Sequence, residues 1–177
     1  MTGYIAFIRG INVGGKNIIK KEKLAEIFVS AGLNNVKTFI QSGNVFFTTG
    51  GDTGQIKNDI EEELYKHLGN RVPVMIMAQS YIAEVVNENP FKDIPADPDL
   101  KTYYVILEGD PAKDIPVPFE SEKDGILFFH RKGLIFCATS KPVNGKYFYP
   151  NAVLEKLSGT PATTRNIKTM KALAEIS

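Results

Sequence analysis

The stretch IAFIRGINVGGKN, residues 5–17, constrains this chain more than any other. An apolar run stops at Arg9, and the turn that follows holds Gly10, Gly14 and Gly15. From Lys20 to Ala31 the residues Leu24, Ile27, Phe28 and Ala31 then share one helical face, with Gly32 as the stop. The order is strand, glycine turn, helix. Flexible glycines let several backbone N–H groups turn toward one point, and a helix N-terminus beside them favours negative charge. Lys16, Lys20, Lys21 and Lys23 crowd the same helix start, where basic residues oppose the dipole unless an anion sits nearby. The turn therefore reads as an anion cradle. Against this stands the plainer reading that the glycines are turn punctuation and the lysines a solvated helix start.

Two known phosphate-binding patterns fail here. Gly10, Gly15 and Lys16 fit the first seven positions of G-x-x-x-x-G-K-[ST], but Asn17 stands where a hydroxyl should hold magnesium. In G-x-G-x-x-G the second glycine would fall on Asn12. No cofactor and no metal is expected. The histidines, His67 and His130, come with no ligand-spaced cysteine. Cys137 lies in an alternating strand, LIFCATS, and reads as a packed small apolar residue. Glu61 to Glu63 read as a solvated helix face.

Periodicity extends the first unit. VKTFIQSGNVFFTT (36–49) reads as two strands hinged at Ser42 and Gly43. Asp52 or Thr53 caps a helix that presents Ile56, Ile60, Leu64 and Leu68 and stops at Gly69. VPVMIMA (72–78) is a further strand, and Ser80 caps a short helix that ends before Pro90. The order β-α-β-β-α-β is that of a ferredoxin-like split unit. In that topology the glycine turn, the turn at Gln41 to Asn44 and the connection at Asn70 and Arg71 converge on one edge. Asn12, Gln41, Ser42 and Asn44 then surround one pocket with Arg9, Gly10, Gly14, Gly15 and Lys16.

After a proline-rich stretch, NPFKDIPADPD (89–99), the pattern restarts. YYVILEG (103–109) echoes YIAFIRG (4–10), with Glu108 in place of Arg9. ILFFHRKGLIFCATS (126–140) echoes VKTFIQSGNVFFTTG (36–50), setting Gly133 against Gly43 and Phe136 against Phe46. The fold class expected is α+β: two ferredoxin-like split β-α-β units in tandem, mostly antiparallel, with helices packed on one face. The division expected is 1–90 for the first subdomain, 91–100 for a linker and 101–177 for the second. The second unit has room for only a short or irregular first helix. Its closing helices are YPNAVLEKL and TTRNIKTMKALAEI, the latter capped by Thr163 or Thr164 and carrying Arg165, Lys168 and Lys171 as a stripe. Arg165 and Asn166, at that helix start, are candidates for a second set of anion donors.

The strings RGINVGGKN, QSGN and ATTRN (162–166), in this order, make the chain resemble the bacterial family known as domain of unknown function 1697, over essentially its whole length. Arg9, Gly10, Asn12, Gly14, Gly15, Gln41, Ser42, Gly43, Asn44, Thr164, Arg165 and Asn166 occupy the motif positions. The resemblance implies an α+β fold of two related subdomains in a cytoplasmic protein with no established activity. Two positions depart from it: Ile167 stands where members often have Trp, and GKYFYP where they have a Ser-Lys pair.

Bulk composition narrows the partners. Lys plus Arg number 21 against 20 for Asp plus Glu, so no global field holds the chain to nucleic acid or an anionic membrane. The lone cysteine fits a reducing compartment, and the opening residues have neither a basic n-region nor a long apolar run, which points to the cytoplasm. The leading expectation is a small anionic, phosphorylated ligand at Gly10–Lys16. The rival is RNA or single-stranded nucleic acid stacked on Phe7, Phe39, Phe46 and Phe47, although the RNA-recognition consensus is missing. A ligand-free interaction module is the third reading. Aromatics open on a sheet face favour RNA, and a polar pocket at the glycine turn favours the ligand.

Overall fold

The computed structural model describes residues 1–39 and 43–176. The first half runs β1 (Thr2–Ile8), α1 (Lys21–Ser30), β2 (Asn34–Phe39), β3 (Asn44–Thr49), α2 (Thr53–Leu68), β4 (Val74–Ala78) and α3 (Gln79–Asn87). The second half runs β5 (Lys101–Leu107), β6 (Phe119–Ser121), β7 (Ile126–Lys132), β8 (Ile135–Ser140), α4 (Pro150–Ser158), β9 (Ala162–Asn166) and α5 (Ile167–Glu175). A single 3-10 turn, Glu122–Asp124, follows β6. Two sheets result, ordered β2-β3-β1-β4 and β6-β7-β8-β5-β9, with every neighbouring pair antiparallel. The protein is thus a mixed α+β chain with two antiparallel sheets and five helices.

Local chemistry sets the element ends. The Asp52 carboxylate accepts the Gln55 N–H at 2.8 Å and opens α2, while Gly69, at φ 74, closes it with its N–H on Tyr65 O. The apolar spacing of α1 buries Leu24, Ile27 and Phe28. These residues and Ile56, Ile60 and Leu64 of α2 pack on Ala6, Ile8, Val45 and Phe47 of the first sheet. In the second sheet the corresponding core is Val105, Leu107, Phe136 and Ala138 under Leu154 of α4. Ile5, Phe7, Phe46 and Met75, on the other side of the first sheet, are also out of water.

The two sheets share their registers. Tyr4 to Ile8 pair with Ala78 to Val74, and Tyr103 to Leu107 pair with Asn166 to Ala162. The half-buried Glu61 of α2 and the first amide of β4 meet directly: Glu61 Oε1 accepts the Val74 N–H at 2.8 Å. Glu155 of α4 does the same for Ala162, also at 2.8 Å. Both glutamates lie one helix before the strand they hold.

Two sequence expectations need correction. Thr163, Thr164 and Arg165 do not begin the last helix; they lie in β9, where β-branched threonines pack well, and the helix starts at Ile167 with the Asn166 side chain accepting the Thr169 N–H at 2.8 Å. Arg165 therefore leaves the stripe it was expected to form with Lys168 and Lys171. The short or irregular first helix expected in the second half is the 3-10 turn Glu122–Asp124, which follows the added strand β6. The echo between hairpins is off by one: Phe46 faces Ile5, whereas Cys137, not Phe136, faces Tyr104. Residues 40–43 separate Phe39 from Asn44, but only Gly133 and Leu134 separate Lys132 from Ile135, so an ungapped comparison slips.

Two compact units emerge: Met1–Ala83 joined by the chain from Leu173 onward, and Glu84–Ala172. The division runs inside α3 and inside α5. In the first unit the Gln79 side-chain amide donates to Ala174 O. In the second, Phe91 meets Tyr104 and Phe129 edge-on at 5.0 and 5.3 Å, and Lys132 bonds both Glu84 and Glu88.

Candidate functional site

The glycine turn is a small hairpin braced by its own side chains. At the end of β1, Ile8 N–H donates to Gly43 O at 2.8 Å and Arg9 N–H to Pro73 O at 3.0 Å. Val13 and Lys16 then form a bridge, with Lys16 N–H on Val13 O at 3.1 Å. Between them Gly14 and Gly15 sit at φ 59 and 73. Two successive left-handed residues make the primed turn that suits the twist of a hairpin, and this is why glycine occupies both positions. Asn12 N–H donates to Asn17 O at 3.1 Å to close the next rung.

Two asparagines do the bracing. Asn12 Oδ1 accepts the Ile19 N–H at 2.9 Å while Asn12 Nδ2 donates to Ile19 O at 3.1 Å, so one side chain clamps both backbone groups of one residue. Asn17 Nδ2 donates to Gly10 O at 3.0 Å, and Asn17 Oδ1 accepts from Asn70 Nδ2 at 2.7 Å. Both asparagines hold positive φ, which their short polar side chains tolerate.

Against this hairpin opens a cavity of about 510 Å³. Asn12, Gly15 and Gly43 form one side and the start of α1, with Lys20 and Lys21, another. Ile18, Ile19, Leu24, Thr38 and the single carboxylate of Glu22 complete the lining. The N-terminus of α1 has no side-chain cap, since Lys20 holds the cap position. Lys21 lies 3.8 Å from Glu22 in an exposed pair, and among the described residues Lys20 has no ion pair. Exposed pairs of this kind contribute little, so the α1 start keeps its positive character.

The predicted site residues divide as follows. Asn12 and Gly15 meet at the cavity, joined by Gly43 of the second turn. Arg9, Gly10, Gly14 and Lys16 belong to the hairpin but do not line the cavity, and the Lys16 amide is spent on Val13. Asn44 is fully buried and its Nδ2 donates to Phe39 O at 3.2 Å. Gln41 and Ser42 lie outside the described residues. Arg165 and Asn166 sit in β9 of the second unit. The Arg165 guanidinium is buried and donates through Nη1 to Thr163 Oγ1 at 2.6 Å and to Thr164 O at 2.9 Å. Burial pushes its pKa down to about 10, which still leaves it charged at neutral pH.

Thr38 and Ile18 are lining residues that no motif marks, whereas the α1 start belongs to the expected cradle. Gly43 has no room for a side chain, since a Cβ there would meet Ile11 at 2.8 Å and Ile8 O at 2.9 Å. Among the described residues no three His, Cys, Asp or Glu side chains cluster so as to hold a metal. No described helix is long and apolar enough to cross a membrane.

Two antiparallel sheets with five helices define the class as a mixed α+β protein. A family described as "Protein of unknown function (DUF1697)" matches residues 1–129, and the chain belongs to this family. Among solved structures, the conserved bacterial protein SP0830 from Streptococcus pneumoniae is similar in fold, with a TM-score of 0.61 at 21% identity, covering 98% of this chain and 97% of that one. None of the curated proteins compared matches this chain.

Proposed function

We propose that the protein binds a small anionic, phosphorylated ligand in the cavity between the glycine hairpin and the start of α1. The observation that carries this reading is an uncapped helix N-terminus with two lysines, opening into a cavity of about 510 Å³. The anionic group lies at the α1 start near Lys20 and Lys21, and the apolar remainder packs on Ile18 and Leu24. Arg9, Gly10, Gly14 and Lys16 serve by holding the hairpin, and Arg165 and Asn166 stay outside the primary contacts.

The shared registers and the paired Glu61 and Glu155 clamps support reading the two units as ferredoxin-like split units related by a degenerate duplication. The buried lone thiol of Cys137 suits a reducing cytoplasm. Stacking of nucleobases on the sheet finds less support, because Phe7, Phe46 and Phe47 are at most 4% exposed.

Calorimetric titration with phosphate monoesters, such as sugar phosphates and mononucleotides, tests the ligand. Binding in the absence of magnesium is expected, since Asn17 offers no metal-binding hydroxyl. The variant Lys20→Glu/Lys21→Glu should weaken it at least tenfold while leaving the melting temperature near that of the parent. Binding that requires magnesium, or that survives the double charge reversal, overturns the proposal.

A further inference from the structure

The first unit closes one face of its sheet with two helices, α1 and α2, over Ala6, Ile8, Val45 and Phe47. The second unit covers the corresponding residues with α4 alone, because the chain between β5 and β7 forms β6 and a 3-10 turn. Beside α4 a groove of about 350 Å³ remains, within the size range of small-molecule sites. Its walls are apolar: Phe119 of β6, Val153 and Leu157 of α4, and Phe148 and Tyr149 just before that helix. Phe148 and Tyr149 are 41% and 65% exposed, an unusual position for adjacent large aromatics.

The rim is charged and unbalanced. Lys123 and Lys156 border the groove, both exposed, and among the described residues neither has an ion-pair partner. The one carboxylate at the rim, Asp124, already accepts the Ser121 hydroxyl at 2.6 Å. Apolar and aromatic walls under two unpaired cations suit a flat ring that carries a negative group.

We infer that this groove is a second binding site, taking a small aromatic anion such as an aryl carboxylate, with its ring among Phe119, Tyr149 and Leu157 and its acid group toward Lys123 and Lys156. The site is independent of the cavity at the glycine hairpin. Rings gain here by area burial as well as by stacking, whereas the lysines discriminate charged from neutral ligands.

Calorimetry with 1-naphthoate, and with the neutral 1-naphthalenemethanol, tests the inference on the full chain. One-to-one binding of naphthoate is expected, at least tenfold tighter than that of the alcohol. Lys123→Glu/Lys156→Glu should lower naphthoate affinity at least tenfold, and Val153→Trp should abolish binding by filling the groove. Lys20→Glu, in the other cavity, should leave it unchanged. If Val153→Trp fails to fold, the double lysine variant, at two exposed positions, carries the test. Absence of saturable binding, equal affinity for acid and alcohol, or full binding by the double lysine variant overturns the inference. So does a concentration-dependent dimer that blocks naphthoate, which would assign the groove to a second copy of the chain.

Discussion

Gly14 and Gly43 both hold left-handed backbone, but only Gly43 is also closed to a side chain. At Gly14 a Cβ would meet nothing within 4 Å, so only its φ of +59 matters. The second unit offers a natural experiment: Val143–Lys146 forms the same bridged turn with Asn144 at φ 50 and Gly145 at φ 74. Gly14→Asn should therefore change unfolding free energy by less than about 0.5 kcal/mol, and Gly14→Val should cost about 1–2 kcal/mol from the left-handed backbone. At Gly43 the same φ penalty is joined by contacts under 3 Å with Ile11 and the Ile8 carbonyl, so Gly43→Ala should cost about 1–3 kcal/mol more than Gly14→Ala. Urea unfolding of the set would test the ranking, and equal costs for the two alanine variants would contradict it.

Cys137 makes a prediction about pH at the same scale. Burial, with a lesser push from Glu88, raises its thiol from 9.0 to about 12. Between those values the unfolded chain has lost the proton that the folded chain keeps, so the folded state binds more protons and stability falls as pH rises. Comparison of unfolding at pH 8 and pH 10.5 should show a larger loss in the parent than in Cys137→Ala. Identical losses would mean that the thiol is open to water in the fold.

At the scale of elements, the unexpected contribution comes from two glutamates. Glu61 read as part of a solvated helix face because its neighbours Glu62 and Glu63 are acidic too, and nothing in spacing separates them. Only the fold brings the Val74 amide to its carboxylate, with Lys57 3.0 Å away on the preceding turn. Hydrogen bonds to a charged group contribute about 1.5–3 kcal/mol, so Glu61→Ala and Glu155→Ala should each destabilise by about that amount, while Glu62→Ala should fall within about 0.5 kcal/mol. Thermal unfolding that ranks Glu62 equal to Glu61 would remove the clamp from the account.

Legibility followed the same division between local and non-local causes. The strand-turn-helix opening, the span of α2 and both of its caps were readable, because apolar period and capping residues act within a few positions. The last helix was overextended, since ATTRN carries no breaker and its pairing with β5 is a long-range event. The lining of the proposed cavity mixes residues marked by motif with residues that are not. Asn12 and Gly15 both line the cavity, but the Asn12 side chain is engaged with the Ile19 backbone. Thr38 and Ile18 reach it only through tertiary approach, which no motif records.

For the molecule as a whole, the first unit is discontinuous in sequence: residues up to Ala83 are completed by those from Leu173 onward. Leu173 is fully buried, and Gln79 donates to Ala174 O within that unit. A chain cut after Asn166 should therefore lose stability in the first unit, seen as weaker amide protection of β1 and β4, although all four strands of that sheet remain present. Protection equal to that of the full chain would show the closing residues to be dispensable.

That discontinuity also bears on how the protein is made. A ribosome has 90 residues still to add between Ala83 and Leu173, by the difference of those positions. At about 5–20 residues per second this takes about 5–18 s. Throughout that interval the nascent first sheet has its strands but lacks its last packing partner. Its exposed apolar surface is then a target for chaperones on the translating ribosome, so slowing elongation across the second half would prolong the vulnerable period.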